Sequence, residues 1–259
     1  FTFVNAIKRV FCSAWAPEAV TDIIPEDVGL PPPQKRYEAV RAGFGDRMPW
    51  QSIRITGDLL ADWTFEATTQ EGLLADASPN RCHLACEGVT LEDGRGGRVL
   101  RCGEGGATAT LPAPFFSPGG VTVALWCKPS EKAQSDRWML NTVSGGSDGY
   151  RLGLGGGRVA WQVPRERWSH SLISPEALPV EAWSHVAATF DNTVMRLYVN
   201  GKEVGTLERR GFINPGDGII VGAHSVDLER ARFRGCLDNV RIYRRVLTAD
   251  EIAKLAAEM

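Results

Sequence analysis

The sequence lacks an apolar run close to the roughly 20 residues that a membrane-spanning helix needs, so no transmembrane segment is predicted. It also has little net charge, −2 at pH 7 over 259 residues. No basic surface for nucleic acid or an anionic membrane is therefore expected. The chain begins at Phe1 rather than at methionine, which we interpret as processing or truncation.

The cysteines follow no repeated spacing, which argues against both a disulfide framework and a zinc site. Cys82 and Cys86, with His83 between them, resemble half of a zinc site, but no second pair completes it. Cys102 and Cys127 lie in strand-like runs and are predicted to be small core residues. The sequence allows one disulfide, for which Cys82 and Cys86 are the favoured partners.

The first 56 residues are irregular and have too little periodic apolar pattern to form a core of their own. A Pro31-Pro32-Pro33 run interrupts them. We predict that residues 1–56 form an N-terminal arm that docks on the main domain, on a partner, or on both. The aromatic residues expected to anchor this arm include Phe3, Phe11, Trp15 and Trp50.

From residue 57 onward, short runs of apolar residues alternate with polar ones, and Gly, Pro, Asn and Asp separate the runs. This pattern predicts an all-β sandwich or barrel. The Asn200-Gly201 pair is a strong signal for a two-residue hairpin turn. Near the end, Thr248 and Glu251 form a capping box that predicts a short C-terminal helix.

Four segments resemble the laminin G-like (concanavalin A-like) jelly roll family. They are residues 60–66 (LADWTFE), 75–80 (ADASPN), 183–201 (beginning WSHVAATFD) and 233–252 (beginning FRGCLDNVRIY). The resemblance implies an antiparallel jelly-roll sandwich of two sheets over residues 57–259. The first 56 residues have no counterpart in it.

The resemblance extends to laminarinase-type glycosidases, which carry a Glu-x-Asp-x-x-Glu triplet on one strand. That spacing places two carboxylates on the same face, as glycoside hydrolysis requires. No such triplet appears in this sequence. His185 lies in the recurrent Trp-Ser-His-Val segment, where we expect a packed structural role. The sequence therefore predicts a protein that is not an enzyme.

The family resemblance also implies a structural Ca²⁺ at the edge of the sandwich. Asp238 matches the acidic residue of the last strand, and Asp62 and Asp76 are candidates from the first strand and its turn. Calcium binds six to eight oxygen atoms, many of them from loop carbonyls. The alternative is that Asp238 caps backbone amides and binds no metal. No other cofactor is expected.

A sugar site needs an aromatic platform flanked by groups that form hydrogen bonds. Four rings in the middle strands are candidates for it, with Arg151 beside them: Trp138, Tyr150, Trp161 and Trp168. The alternative is that two or three of these rings only fill the interior of the sandwich.

The expected function is a non-catalytic interaction domain that binds a glycan or a protein through its concave face or its loops. One alternative is an accessory subunit of a larger assembly, anchored by the arm at 1–56. Another is a module of a longer secreted carbohydrate-active enzyme. The resemblance favours an extracellular or periplasmic location, and the accessory-subunit alternative implies an organelle-targeted assembly.

Overall fold

The computed structural model of the chain describes residues 58–103, 106–109, 120–132, 136–142, 149–165, 168–211, 213, 218–223 and 231–258. These residues belong to one compact unit, Arg54–Met259. The predicted arm residues Phe3, Phe11, Trp15 and Trp50 lie outside the described ranges. Within those ranges, no helix is long and apolar enough to cross a membrane.

The described residues form antiparallel strands and one short helix. In chain order these are β1 (Leu59–Trp63), β2 (Ala85–Glu87), β3 (Thr90–Asp93), β4 (Arg98–Cys102), β5 (Gly106–Ala109), β6 (Val121–Pro129), β7 (Arg137–Asn141), β8 (Arg151–Gly155), β9 (Arg158–Arg165), β10 (Trp168–Ala177), β11 (Ser184–Phe190), β12 (Val194–Val199), β13 (Lys202–Glu208), β14 (Ile219–Val221), β15 (Gly235–Tyr243) and α1 (Ala249–Leu255).

The strands form two sheets. The first sheet has the order β13-β12-β11-β6-β15-β4-β3, and β1 pairs with β15 beside β4. The second sheet has the order β10-β9-β8-β7-β14-β5-β2. Neighbours that are distant in the chain, such as β6 and β15, are typical of a jelly roll rather than of a simple meander. The predicted all-β jelly-roll sandwich is confirmed.

The main core lies between the two sheets. Along β6, Val121, Val123 and Leu125 point inward and belong to this core, while Thr122 and Ala124 point to the other face. This alternation follows from the pleat, which turns successive side chains to opposite faces. The largest core side chains with almost no exposure are Trp63, Phe65, Trp161, Phe190 and Phe233.

Two local predictions are confirmed in the backbone. Asn200 and Gly201 both have positive φ angles, 49° and 76°, and join β12 to β13. The Thr248 hydroxyl accepts a hydrogen bond from Glu251 N, and the Glu251 carboxylate accepts one from Thr248 N at 2.8 Å. This capping box begins α1. Ile252 of α1 is buried in a second apolar cluster, with Ala124, Ala187, Tyr198 and Leu247.

The described cysteines form no disulfide. Cys82 and Cys86 are both free thiols, as are Cys102, Cys127 and Cys236. The disulfide that the sequence allowed between Cys82 and Cys86 is therefore not formed; Cys82 is buried and Cys86 is exposed. Cys102 and Cys127 lie in the core as predicted. Burial raises the pKa of the Cys127 thiol to about 12, which keeps it protonated at neutral pH.

Candidate functional site

The outward face of the second sheet carries a line of polar side chains, the polar row, on β7, β8, β9 and β10. It consists of Asn141, Arg151, Gln162 and Ser171, each paired with the next across the sheet. Adjacent strands are about 4.8 Å apart, so the four side chains form a closely spaced series. Asn141 and Gln162 are 1% and 9% exposed, and Arg151 and Ser171 are half-buried.

A second line, the apolar row, runs beside the polar row on the same face. It consists of Trp138, Gly153, Ala160 and Ile173. Ile173 on the edge strand β10 is 49% exposed, an unusual value for a large apolar residue here. A Cβ on Gly153 would lie 2.2 Å from the carbonyl oxygen of Arg137 and 2.8 Å from Trp138 Cε3. Glycine at this position therefore lets the Trp138 ring lie against β8.

A β-bulge brings the two rows together on β7. The register shifts between Trp138 and Leu140, so Trp138 pairs with Gly153 and Asn141 pairs with Arg151. Because Gly153 and Arg151 lie two residues apart on β8, their partners point to the same face. Trp138 and Asn141 thus share a face although they lie three residues apart. Sequence reasoning found Trp138 and Arg151 but missed Asn141, Gln162 and Ser171.

Arg151 is held in a defined orientation within the polar row. Its Nε donates a hydrogen bond to Gln162 Oε1 at 2.6 Å, and its guanidinium carbon lies 4.5 Å from the centroid of the Trp138 ring. Both contacts favour a guanidinium lying flat over the ring. Burial lowers the pKa of Arg151, while the negative charge of Asp136 acts in the opposite direction.

The aromatic rings predicted as a sugar platform lie elsewhere than expected. Trp161 and Tyr150 are 0% and 3% exposed in the core, with ring centroids 5.5 Å apart. Trp138 is on the outward face but is only 2% exposed. These three rings therefore present no open face on which a sugar could stack. Tyr150 and Trp161 fill the interior of the sandwich, which was the alternative. Trp168 begins β10, and its side chain lies outside the described atoms.

The outward face of the first sheet holds a separate polar cluster. His185, Trp126 and Asp238 lie in one row across β11, β6 and β15. The Arg95 guanidinium stacks 3.6 Å from the centroid of the Trp126 ring, and Arg95 Nη1 lies 3.4 Å from Asp238 Oδ2. The ring of Trp126 also meets His185 edge to face, at 5.4 Å between centroids. These side chains cover one another and stabilise the fold.

His185 is neutral in this cluster. Burial is the main cause that lowers its pKa, to about 4, and the positive charges of Arg95 and Arg241 add to the effect. Its side chain is 2% exposed, and Nδ1 has no hydrogen-bond partner among the described residues. These features fit the packed structural role expected from the sequence. Because the buried imidazole has a lowered pKa, the stability that it contributes should fall as the pH falls.

The three carboxylates predicted to bind calcium do not share a site. Asp76 Oδ1 accepts hydrogen bonds from the backbone N–H groups of Asp62 and Ser78, both at 2.8 Å. Its Oδ2 accepts from Cys82 N and from Ser78 Oγ, both at 2.7 Å. The carboxylate therefore fixes the turn after β1 through four hydrogen bonds to the protein.

Asp238 and Asp62 are paired with arginines instead. Asp238 lies beside Arg95, and Asp62 Oδ1 accepts a hydrogen bond from Arg241 Nε at 3.1 Å. A guanidinium thus stands where a metal ion would have to approach each carboxylate. In the described ranges, no group of three His, Cys, Asp or Glu side chains could hold a metal. These three residues do not fit a shared Ca²⁺, and calcium binding stays a prediction.

The family model of the concanavalin A-like lectin/glucanases superfamily matches residues 103–253, which is more than half of the chain. No curated protein sequence matches the chain.

Several solved structures share the fold. The binding domain of Paraclostridial Mosquitocidal Protein 1 is 18% identical with a TM-score of 0.62, and the match covers 77% of this chain and 52% of that one. The binding domain of botulinum neurotoxin serotype G is 15% identical with a TM-score of 0.59, covering 76% and 50%. Domain 4 of AbnA, an extracellular arabinanase from Geobacillus stearothermophilus, is 19% identical with a TM-score of 0.61, covering 77% and 98%.

The chain spans about half the length of the two toxin binding domains and nearly all of the arabinanase domain. At these identities the likeness shows the fold and not the ligand. In the two toxins, the matched fold is part of a binding domain.

Proposed function

Since the chain belongs to the concanavalin A-like lectin/glucanases superfamily, we propose that it is a non-catalytic recognition module that binds a glycan on the outward face of the second sheet. The observation that carries the proposal is that the accessible members of the two rows share one face: Ser171 and Ile173 lie two residues apart on β10, Ile173 is 49% exposed, and the half-buried Arg151 lies on β8. A sugar ring has an apolar face and a rim of hydroxyl groups, and it needs both kinds of surface side by side.

The composition of the polar row supports binding rather than hydrolysis. Glycoside hydrolysis requires two carboxyl groups about 5–10 Å apart. Asn141, Arg151, Gln162 and Ser171 include no carboxyl group, and neither does the apolar row. Amide and hydroxyl side chains both donate hydrogen bonds to sugar hydroxyl groups and accept hydrogen bonds from them, and a guanidinium donates them. The arabinanase domain with this fold was solved in complex with arabinotriose, which favours a sugar as the ligand class.

The test is a blocking substitution on each sheet. Ser171 is half-buried on the edge strand β10, so Ser171→Trp places an indole over the proposed surface without entering the core. Thr206 is exposed on β13, the edge strand of the first sheet, so Thr206→Trp is the matched control. Wild type and both variants are screened on a broad oligosaccharide array that includes arabinotriose, and hits are quantified by calorimetry.

We expect wild type and Thr206→Trp to bind the same oligosaccharides and Ser171→Trp to lose at least about tenfold in affinity, which corresponds to about 1.4 kcal/mol. Equal binding by all three proteins would show that the glycan does not bind at Ser171 on the second sheet. An array without any hit would reject glycan recognition. The two alternative predictions, an accessory subunit anchored by the arm and a module of a longer secreted enzyme, depend on sequence outside the described residues and stay predictions.

A further inference from the structure

Arg151 differs from several arginines of the described fold in what its guanidinium contacts. Arg95, Arg196, Arg241 and Arg245 each lie within 4.0 Å of a carboxylate oxygen. Among the described residues, no carboxylate comes that close to Arg151. Asp136 influences it electrostatically without forming an ion pair at that distance. Within the described ranges, Arg151 therefore places a positive charge on the sheet face without a paired negative charge.

The anchoring of Arg151 leaves part of its guanidinium for a ligand. Nε is used by Gln162, and the face of the group covers Trp138. In the described part of the fold, the two terminal nitrogens, Nη1 and Nη2, donate no hydrogen bond. A planar guanidinium that keeps two parallel N–H donors matches the two oxygens of a carboxylate. Because Gln162 and Trp138 already fix its orientation, little side-chain entropy remains to be lost on binding.

The neighbours of Arg151 suit a sugar that carries such a carboxylate. Gln162 and Asn141 flank it in the polar row, and Gly153 lies beside it on the same face in the apolar row. The Trp138 ring fills the space over Gly153, so a sugar reaches the guanidinium from the side of Gln162 and the half-buried Ser171. The side chains across the sheet are about 4.8 Å apart, close enough for one sugar to reach two of them.

We propose that Arg151 is a specificity-determining residue and that the ligand is an acidic glycan, whose uronic acid carboxylate pairs with Arg151 Nη1 and Nη2. The inference rests on the proposed function, because it assigns a ligand class to the same face. Gln162 is the positioning residue that holds Arg151 through Nε.

The experiment compares acidic oligosaccharides with their uncharged counterparts. The probes are tetramers of galacturonic, glucuronic and mannuronic acid, each paired with the carboxyl-reduced tetramer of the same linkage. Binding to the full chain is measured by calorimetry at low and at physiological salt. We expect at least one acidic tetramer to bind about tenfold or more tightly than its reduced form, since charge-assisted pairs are about twice as strong as neutral ones. Added salt should weaken binding of that acidic tetramer.

Three variants distinguish a specific contact with Arg151 from a general effect of positive charge. Arg151→Gln removes the guanidinium and should abolish the preference for the acidic form. Arg158→Gln removes the same charge from an exposed position at the end of β9 and should keep the preference. Gln162→Leu leaves the Arg151 charge but removes its anchor, and the affinity for the acidic tetramer should fall severalfold. Circular dichroism verifies that each variant is folded, and Gln162→Leu and Arg158→Gln keep the comparison valid if Arg151→Gln does not fold.

The outcomes distinguish this inference from the proposed function. If reduced tetramers bind as tightly as acidic ones, or if Arg151→Gln keeps the preference, the assignment of an acidic glycan is wrong while glycan binding stands. If a preference for the acid is lost equally in Arg158→Gln, the effect is general charge and the role of Arg151 is rejected. If no acidic or neutral oligosaccharide binds at all, both are rejected.

Discussion

Acid should destabilise the folded chain through His185, whose side chain is 2% exposed on the outward face of the first sheet. Burial, with the charges of Arg95 and Arg241, lowers its pKa from 6.5 to about 4. The folded state therefore favours the neutral imidazole, and the unfolded state takes up the proton first as the pH falls. The stabilisation by neutral His185 is complete above pH 6.5 and is lost progressively between pH 6.5 and about 4.

The size of the effect follows from the shift. A difference of one bound proton between the folded and unfolded states changes the free energy of unfolding by 1.36 kcal/mol for each pH unit. The stability lost between pH 6.5 and about 4 is therefore about 3 kcal/mol, of which about 2 kcal/mol is lost by pH 5. Burial raises the pKa of both Asp62 and Asp238, and raised carboxyl pKa values act in the opposite direction. The pH dependence of the total stability therefore contains both effects. The contribution of His185 is obtained by comparing the free energy of unfolding of wild type with that of a variant that lacks the histidine.

The assay is urea unfolding of wild type and His185→Phe at pH 7, 6, 5 and 4.5. Phenylalanine keeps a ring against Trp126 and removes the titrating group, while the backbone hydrogen bond from His185 N to Asn200 Oδ1 is unaffected. We expect wild type to lose about 2 kcal/mol more than the variant between pH 7 and pH 5. Parallel curves for the two proteins would refute the assignment of a neutral, buried His185.

Three further predictions concern stability. Asp76→Ala should lower the free energy of unfolding by about 3 kcal/mol, because it leaves three backbone N–H groups without their acceptor. Urea unfolding measures the loss, and Asp93→Ala, at an exposed aspartate of β3, is the control. A loss no larger than that of the control would contradict this role of Asp76. Tyr150→Phe should leave Tm unchanged or raise it, because the buried Tyr150 hydroxyl has no hydrogen-bond partner among the described residues; a fall of several degrees in calorimetry would show a partner. Millimolar calcium should change Tm by less than about 1 °C compared with the same protein in a chelator, because protein groups already bind the carboxylates of Asp62, Asp76 and Asp238. A Tm that rises with calcium concentration and then levels off would show a bound ion.

Features governed by local chemistry were predictable from the sequence. The period of two, the Asn200-Gly201 turn and the Thr248 capping box each depend on residues close together in the chain, and all three are present. Together with the four family segments they were enough to predict the sandwich. The spacing left a Cys82–Cys86 disulfide possible, because whether the two sulfur atoms meet depends on the fold and not on the spacing.

The candidate site was less predictable, because it depends on register and on contacts between distant segments. Whether a ring in a strand faces the core or the solvent depends on bulges, and the bulge between Trp138 and Leu140 has no signature in the sequence. The partners of the predicted calcium ligands are also distant. Arg95 lies 143 residues from Asp238, and Arg241 lies 179 residues from Asp62.

The most direct test of glycan recognition on the second sheet is amide chemical-shift mapping by NMR, with the oligosaccharide that binds best in the array. If the glycan binds on this sheet, the largest changes should fall on four residues that share the outward face of adjacent strands: Gly153, Ala160, Gln162 and Ser171. Amides near Trp126 and Thr206 on the first sheet should stay unchanged. Changes confined to the first sheet, or to the loops at the ends of the sandwich, would contradict glycan binding on the second sheet.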